Sequence, residues 1–223
     1  MKNILVVLII CINFSMMAQS DAKIIYVGDP MCSWCYGIAP EFSKLMEEYD
    51  QQMEFELVLG GLRPYNKQVM SELKDFLTGH WDEVHQRSGQ EFTYKILDST
   101  SITYDTEPPS RAAIVVRQLS PENEIAFFKK SQVLFYKENK NMHLAESYFS
   151  LLDEYGINKD EFTNLFDSEE MKRKIKDDFY RASSLGVNSF PTILLEYNGK
   201  LTPVAKGYST AEKMIERIEN IMQ

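Results

Sequence analysis

The chain has 223 residues, 33 acidic against 24 basic, and a formal net charge of −9. That balance argues against nucleic acid as a partner, because binding a polyanion calls for a basic face. With 44% hydrophobic and 12% aromatic residues, the chain is too apolar for a disordered protein. It is long enough to bury a core as one domain, or as one domain with an insertion.

The N-terminus reads as a leader. Lys2 precedes an apolar run from Ile4 to Ile12, and Ala18-Gln19-Ser20 forms a small-x-small cleavage site. We assign residues 1–20 to this signal peptide, with cleavage after Ala18 as the alternative. The apolar run is well short of the roughly 20 residues a spanning helix needs. Lipid on Cys11 is disfavoured by the bulky Ile10 before it. The protein is thus expected to be exported to the periplasm, with no membrane span in the mature chain. Cys11 leaves with the leader, so Cys32 and Cys35 are the only thiols that remain, and none is left over for a structural disulfide.

Lys23–Val27 predicts a buried strand, and a helix follows with Cys35, Ile38, Ala39, Phe42, Leu45, Met46 and Tyr49 on one face. Pro40 inside it predicts a kink. Glu54–Leu59 predicts a second strand, ended by Gly60-Gly61, which completes a βαβ unit. From Asn66 to Gly186 the pattern is helical. Val69, Leu73, Phe76 and Leu77 mark one helix stopped near Gly79. Trp81, Val84 and His85 open a second, stopped at Gly89. Residues 90–109 read as irregular. Helices follow over Ser110–Leu119, after Ser120-Pro121, over Met142–Tyr155, after the capping box Asn158-x-x-Glu161, and over Ser168–Leu185. The strand period then returns in Thr192–Glu196 and Lys200–Ala205, joined by an Asn198-Gly199 turn, with Pro203 restricting the second of these to a sheet edge. Ser209-x-x-Glu212 caps a final helix.

The expected fold class is therefore α/β: βαβ and ββα halves with a helical domain inserted between them. The corresponding ranges are 21–65 and 186–223 for the sheet domain and 66–185 for the insertion.

The stretch Asp29-Pro30-Met31-Cys32-Ser33-Trp34-Cys35-Tyr36-Gly37 carries the chemistry. Two cysteines with two residues between them at a strand-to-helix junction form a thioredoxin-like redox motif. The first sulfur falls at the helix N-terminus, where unpaired backbone N–H groups favour negative charge. A static disulfide staple is the bland alternative, but it would close too small a loop to restrict the unfolded chain much. A zinc site using His80 and His85 with the cysteine pair is disfavoured, because a whole βαβ unit separates the pairs and i, i+5 is a poor helical spacing. His143 reads as a solvated side chain. No metal and no bound cofactor are assigned.

The chain resembles the DsbA-like branch of the thioredoxin superfamily, in the group of protein-disulfide isomerases with an Asp-Pro-Met-Cys-x-Trp-Cys-Tyr-Gly motif. Further matching segments are Gly60-Gly61-Leu62-Arg63-Pro64, Gly79-His80-Trp81, Asp105-Thr106-Glu107-Pro108 and Gly186–Thr192. The resemblance implies a thiol–disulfide oxidoreductase, oxidase or isomerase, in which Cys32 attacks and Cys35 resolves. It also implies a cis-proline loop at Phe190-Pro191-Thr192 that holds the substrate backbone. The implied partners are proteins with thiols or disulfides and a membrane redox partner. Trp34 and Tyr36 are either a platform for unfolded substrate or packing between sheet and helices. Arg63 is expected to pair with a local acid. Many relatives bury an ionisable group under the dithiol, and Tyr26, Glu41 and Glu56 are the nearby choices. Ser33-Trp34 departs from the histidine- or proline-containing pairs of the best-known relatives, which leaves oxidase versus reductase use open. Two other readings stand beside this one: a glutathione-dependent isomerase or transferase of the same fold, and a chaperone-like binding module with a redundant dithiol.

Overall fold

The computed structural model describes residues 22–223, so the leader assigned to residues 1–20 lies outside the described residues. The first strand, β1 (Ala22–Gly28), runs into α1 (Ser33–Glu48) and then β2 (Glu54–Leu59). Next come α2 (Lys74–Ser88), α3 (Glu107–Leu119), α4 (Glu124–Tyr136), α5 (Phe149–Glu154), α6 (Lys159–Phe166) and α7 (Glu169–Ser184). The chain closes with β3 (Thr192–Tyr197), β4 (Lys200–Lys206) and α8 (Ala211–Met222). The sheet order is β2-β1-β3-β4, with β1 parallel to β2 and antiparallel to β3, and β3 antiparallel to β4. This is the expected α/β arrangement, with the helical insertion between the two halves.

Burial explains the strand sequences. β1 is central and covered on both faces. Ile24 and Tyr26 join the large core with Phe42 of α1 and Met214 and Ile218 of α8, while Ile25 and Val27 pack with Val58, Leu194 and Ala182 of α7. A strand buried twice reads as a continuous apolar run rather than as an alternation. β4 lies at one edge, which accommodates Pro203 opposite Leu194, beside a register shift. Asn198 and Gly199 both have positive φ (51° and 73°), as a two-residue hairpin turn requires.

The other edge, β2, is closed by side chains. Asp178 of α7 accepts the Leu59 N–H at 2.9 Å, and Arg117 of α3 donates to the Leu57 carbonyl at 2.8 Å. Arg117 also binds Asp178 and, at 2.7 Å, Glu124, whose carboxyl is pushed up to about 7 mainly by burial. This network ties three helices of the insertion to the sheet and fills hydrogen-bonding positions that an open edge would leave exposed.

Several boundaries differ from expectation. Gly79 does not stop a helix: α2 runs through it to Ser88, after a short 3-10 turn at Met70–Leu73. Buried Leu77, Trp81 and Val84 hold α2 together across the glycine, because packing of one face outweighs a weak local propensity. Phe76, one of the residues that mark this helix, is 61% exposed. α3 begins at Glu107 rather than Ser110, with the prolines in its first turn, where their missing N–H costs nothing. Thr210, not Ser209, is the N-cap of α8, and the Ala211 N–H is accepted by Glu41 of α1 at 2.8 Å. Asn158 caps α6 as expected, accepting from Glu161 N, and Ser168 caps α7, accepting from Met171 N.

Candidate active site

β1 ends at Gly28, and the chain turns through Asp29-Pro30-Met31 into α1. The Asp29 carboxylate makes this turn: Oδ1 accepts the Met31 N–H at 2.8 Å, while the Asp29 carbonyl accepts the Cys32 N–H at 3.1 Å. Cys32 is the N-cap of α1, and Cys35 lies one turn in. Both thiols are free and buried, Cys32 5% exposed and Cys35 completely inaccessible. Only the first can meet a partner sulfur without rearrangement. Burial pushes the Cys35 thiol well up, reinforced by its hydrogen bond with Cys32. A group that resists ionising until the partner sulfur has reacted suits the second step of an exchange.

The Phe190–Pro191 peptide bond is cis, and the Phe190 carbonyl oxygen lies 3.5 Å from Cys32 Sγ. This loop meets the dithiol through its main chain. The Phe190 ring turns away into a slot at Gly60, where an added Cβ would lie 2.0 Å from the ring. Pro191 is buried and its carbonyl accepts the Gly207 N–H at 2.8 Å. Thr192 is also buried, and its hydroxyl donates to Ser189 O at 2.8 Å. Trp34 is half-buried, edge-on to His80 at 6.0 Å and tilted against Tyr208 at 6.3 Å. Tyr36 is packing: it is 1% exposed and stacked on Tyr136 at 4.8 Å, beside the ring cluster around Trp81.

Of the three ionisable groups singled out from sequence, Tyr26 lies beneath the dithiol and the two glutamates do not. The Tyr26 hydroxyl donates to the Cys35 carbonyl at 3.4 Å, and burial, reinforced by the Cys35 and Cys32 side chains, raises its pKa well above normal. Glu41 caps α8, and Glu56 pairs with Lys23 and Arg181. The buried carboxyl is Asp29, completely inaccessible, with Oδ2 accepting the Leu62 N–H at 2.7 Å. An Asp-Pro turn immediately before the first cysteine was its signal, since Asp commonly bonds its own backbone two residues on. Tyr104 was also missed. It is buried and donates to Met31 O at 2.6 Å, with Arg63 over its ring at 5.5 Å. Arg63 thus binds a ring and Gln68, and among the described residues no acid pairs with it. The histidines are engaged separately: His85 with Gln90 O at 2.7 Å, His80 against Phe76 and Trp34, and His143, half-buried rather than solvated, with Asp105 O at 3.0 Å. Among the described residues no helix is long and apolar enough to cross a membrane.

Burial raises Asp29 from 3.8 to about 6, against the opposing pull of the Leu62 and Met31 N–H groups. The folded chain therefore binds more protons than the unfolded one between about pH 4 and 6. Its stability falls as pH rises through that window, and the penalty is complete above it. Asp29→Asn should escape this loss. Variant-minus-wild-type stability should rise by ~2–3 kcal/mol from pH 4 to 7, on top of a constant cost for one lost acceptor. Urea unfolding across that range checks it, and a difference independent of pH would show that Asp29 titrates normally.

Comparison with known proteins agrees with this arrangement. A profile described as thioredoxin matches residues 25–203, most of the chain and all of the dithiol and cis-proline segments. The chain belongs to the thioredoxin family. Among solved thioredoxin-fold structures, a candidate protein disulfide isomerase from Nitrosomonas europaea superposes with a TM-score of 0.82 at 29% identity, covering 91% of this chain and 98% of that one. The cytosolic disulfide reductase DsbM from Pseudomonas aeruginosa gives 0.74 at 25% identity, covering 90% and 98%. A DsbA-type oxidoreductase from Streptomyces coelicolor gives 0.70 at 13% identity, covering 90% of each chain, a likeness of fold alone. No curated protein matched the sequence.

Proposed function

We propose that this thioredoxin-family protein is an exported thiol–disulfide oxidoreductase that exchanges disulfides with other proteins through Cys32 and Cys35. The observation that carries this reading is a pair of free thiols, one at a helix N-cap and one behind it, with the Phe190 main-chain oxygen 3.5 Å from the outer sulfur. In the reductive direction, the Cys32 thiolate attacks a substrate disulfide and expels one substrate thiolate. Cys35 then loses its proton and attacks the Cys32 sulfur of the mixed disulfide. The second substrate thiolate leaves, and the protein keeps the disulfide. Oxidation of a substrate dithiol is the same sequence reversed. The Phe190 carbonyl is an acceptor for a substrate main-chain N–H beside the reacting cysteine, and Trp34 flanks it.

Residues 1–20 read as a leader, which supports a periplasmic location, and cell fractionation tests that assignment. Recycling then calls for a redox partner at the membrane. The disulfide-exchange names borne by the Nitrosomonas and Pseudomonas proteins support the activity class. A second reading, exchange with a small thiol, is favoured by the Pseudomonas reductase having been captured with glutathione.

Equilibrating the Cys32–Cys35 pair in graded glutathione buffers tests the proposal. A potential near about −120 mV would make the protein a disulfide donor, and one near about −270 mV a reductant or isomerase. No exchange at all would overturn the reading in favour of a binding module.

A further inference from the structure

A cleft of about 460 Å³ opens beside Trp34, lined by Trp34, Glu83, Gln86, Arg87, Gly207 and Tyr208. Its volume falls in the range of small-ligand sites. Trp34 follows Cys32 by two residues, and Gly207 is hydrogen-bonded to Pro191 of the loop that meets Cys32. Two of its lining residues are thus tied directly to the segments that carry and face the reacting sulfur. Its far wall comes from α2, in the helical insertion.

The charges in that wall are unspent. Glu and Arg four residues apart on a helix ordinarily pair. Here Glu83 and Arg87 do not, and among the described residues no carboxylate lies within ion-pair distance of Arg87. Its guanidinium lies instead over the Tyr208 ring, 5.8 Å from the centroid. The stacking presets the orientation of a planar fork of donors whose natural complement is a carboxylate. Glu83 and Gln86, one turn or less away, can accept N–H groups from the same ligand. Trp34 and Tyr208 supply flat apolar sides.

We propose that this cleft binds the flank of the thiol substrate and that Arg87 selects a carboxylate close to the reacting cysteine. The assignment rests on the thiol-exchange reading and adds the substrate class. The carboxylate has two possible sources: an acidic side chain within a polypeptide, or the free end of a small thiol peptide.

Calorimetric titration with S-methylated cysteine peptides tests it without requiring any redox chemistry. The probes are end-blocked pentapeptides with Glu or Gln beside the S-methylcysteine, and a free-ended Glu-Cys(S-methyl)-Gly tripeptide. The wild-type protein should bind a carboxylate-bearing probe about tenfold more tightly than the Gln pentapeptide, and less so at high salt. Arg87→Gln should bring that ratio close to one, and Arg87→Lys should retain part of it. Preference for the blocked Glu pentapeptide assigns the site to polypeptides, and preference for the free tripeptide assigns it to small thiols. Equal binding of all probes by the wild-type protein, or undiminished discrimination in Arg87→Gln, would overturn the proposal. Absence of glutathione exchange with Arg87-dependent discrimination intact would instead remove the redox reading and leave the binding site standing.

Discussion

Cys32→Ser should lower insulin reduction or dithiol oxidation by about three orders of magnitude or more, because a serine hydroxyl is neither ionised near neutral pH nor able to form the mixed disulfide. Cys35→Ser should behave differently. Its outer thiol can still attack, but nothing resolves the adduct, so substrate proteins should accumulate as mixed disulfides visible on non-reducing gels and released by dithiothreitol. The asymmetry follows from burial: Cys32 retains 5% exposure at the N-cap, whereas Cys35 is sealed one turn inward with a raised pKa. The stability cost of either change is modest, on the order of 1–3 kcal/mol for a hydroxyl placed in a buried thiol site. Circular dichroism separates a folded, inactive variant from an unfolded one. Full activity in folded Cys32→Ser would sink the mechanism, and adducts trapped by Cys32→Ser rather than Cys35→Ser would reverse the two roles.

Gly60→Ala should damage both stability and exchange, although it lies far from the cysteines in sequence. The new methyl would stand 2.0, 2.2 and 2.7 Å from three atoms of the Phe190 ring. Such contacts are never tolerated, so either the ring leaves its slot or the backbone gives way. The backbone is tethered, since Gly60 donates to the Gly28 carbonyl at 2.7 Å and Leu62 donates to Asp29 at 2.7 Å. Overpacking of this kind costs about 1–3 kcal/mol, which for a chain of this size lowers Tm by about 2–12 °C. Moving the ring also moves the Phe190 carbonyl away from Cys32, and a shift approaching 1 Å should slow exchange roughly tenfold or more. Phe190→Leu in the same chain should relieve the overlap. A double-mutant cycle is therefore expected to show coupling above about 1 kcal/mol. An unchanged Tm for Gly60→Ala would mean that the Phe190 ring does not occupy the slot.

The sequence by itself carried the strand boundaries, the hairpin turn, the cap at Asn158 and the dithiol, because each is written in adjacent residues. Alternation, turn chemistry and capping are local physics, and local physics is legible along the chain. The order of βαβ, helical block and ββα followed from the same signals. Gly79 shows where that reading stops: the propensity argument ended a helix that burial of Leu77, Trp81 and Val84 continues.

What brings distant residues together was decided only by the tertiary structure. Glu41 and Glu56 are nearer the cysteines in sequence pattern than in chemistry, because α8 claims the first, and Lys23 and Arg181 the second. Asp29 becomes the acid of the site only when Leu62, 33 residues on, closes over it. Phe190 was expected to meet substrate. Its ring fills the space beside Gly60, and its carbonyl, 158 residues from Cys32, is the group that faces the sulfur. Arg87 had no role until Tyr208, on the far side of the fold in sequence, came beneath it. Burial and hydrogen-bond partners of this kind arise from chain crossings, and periodicity along the chain does not encode them.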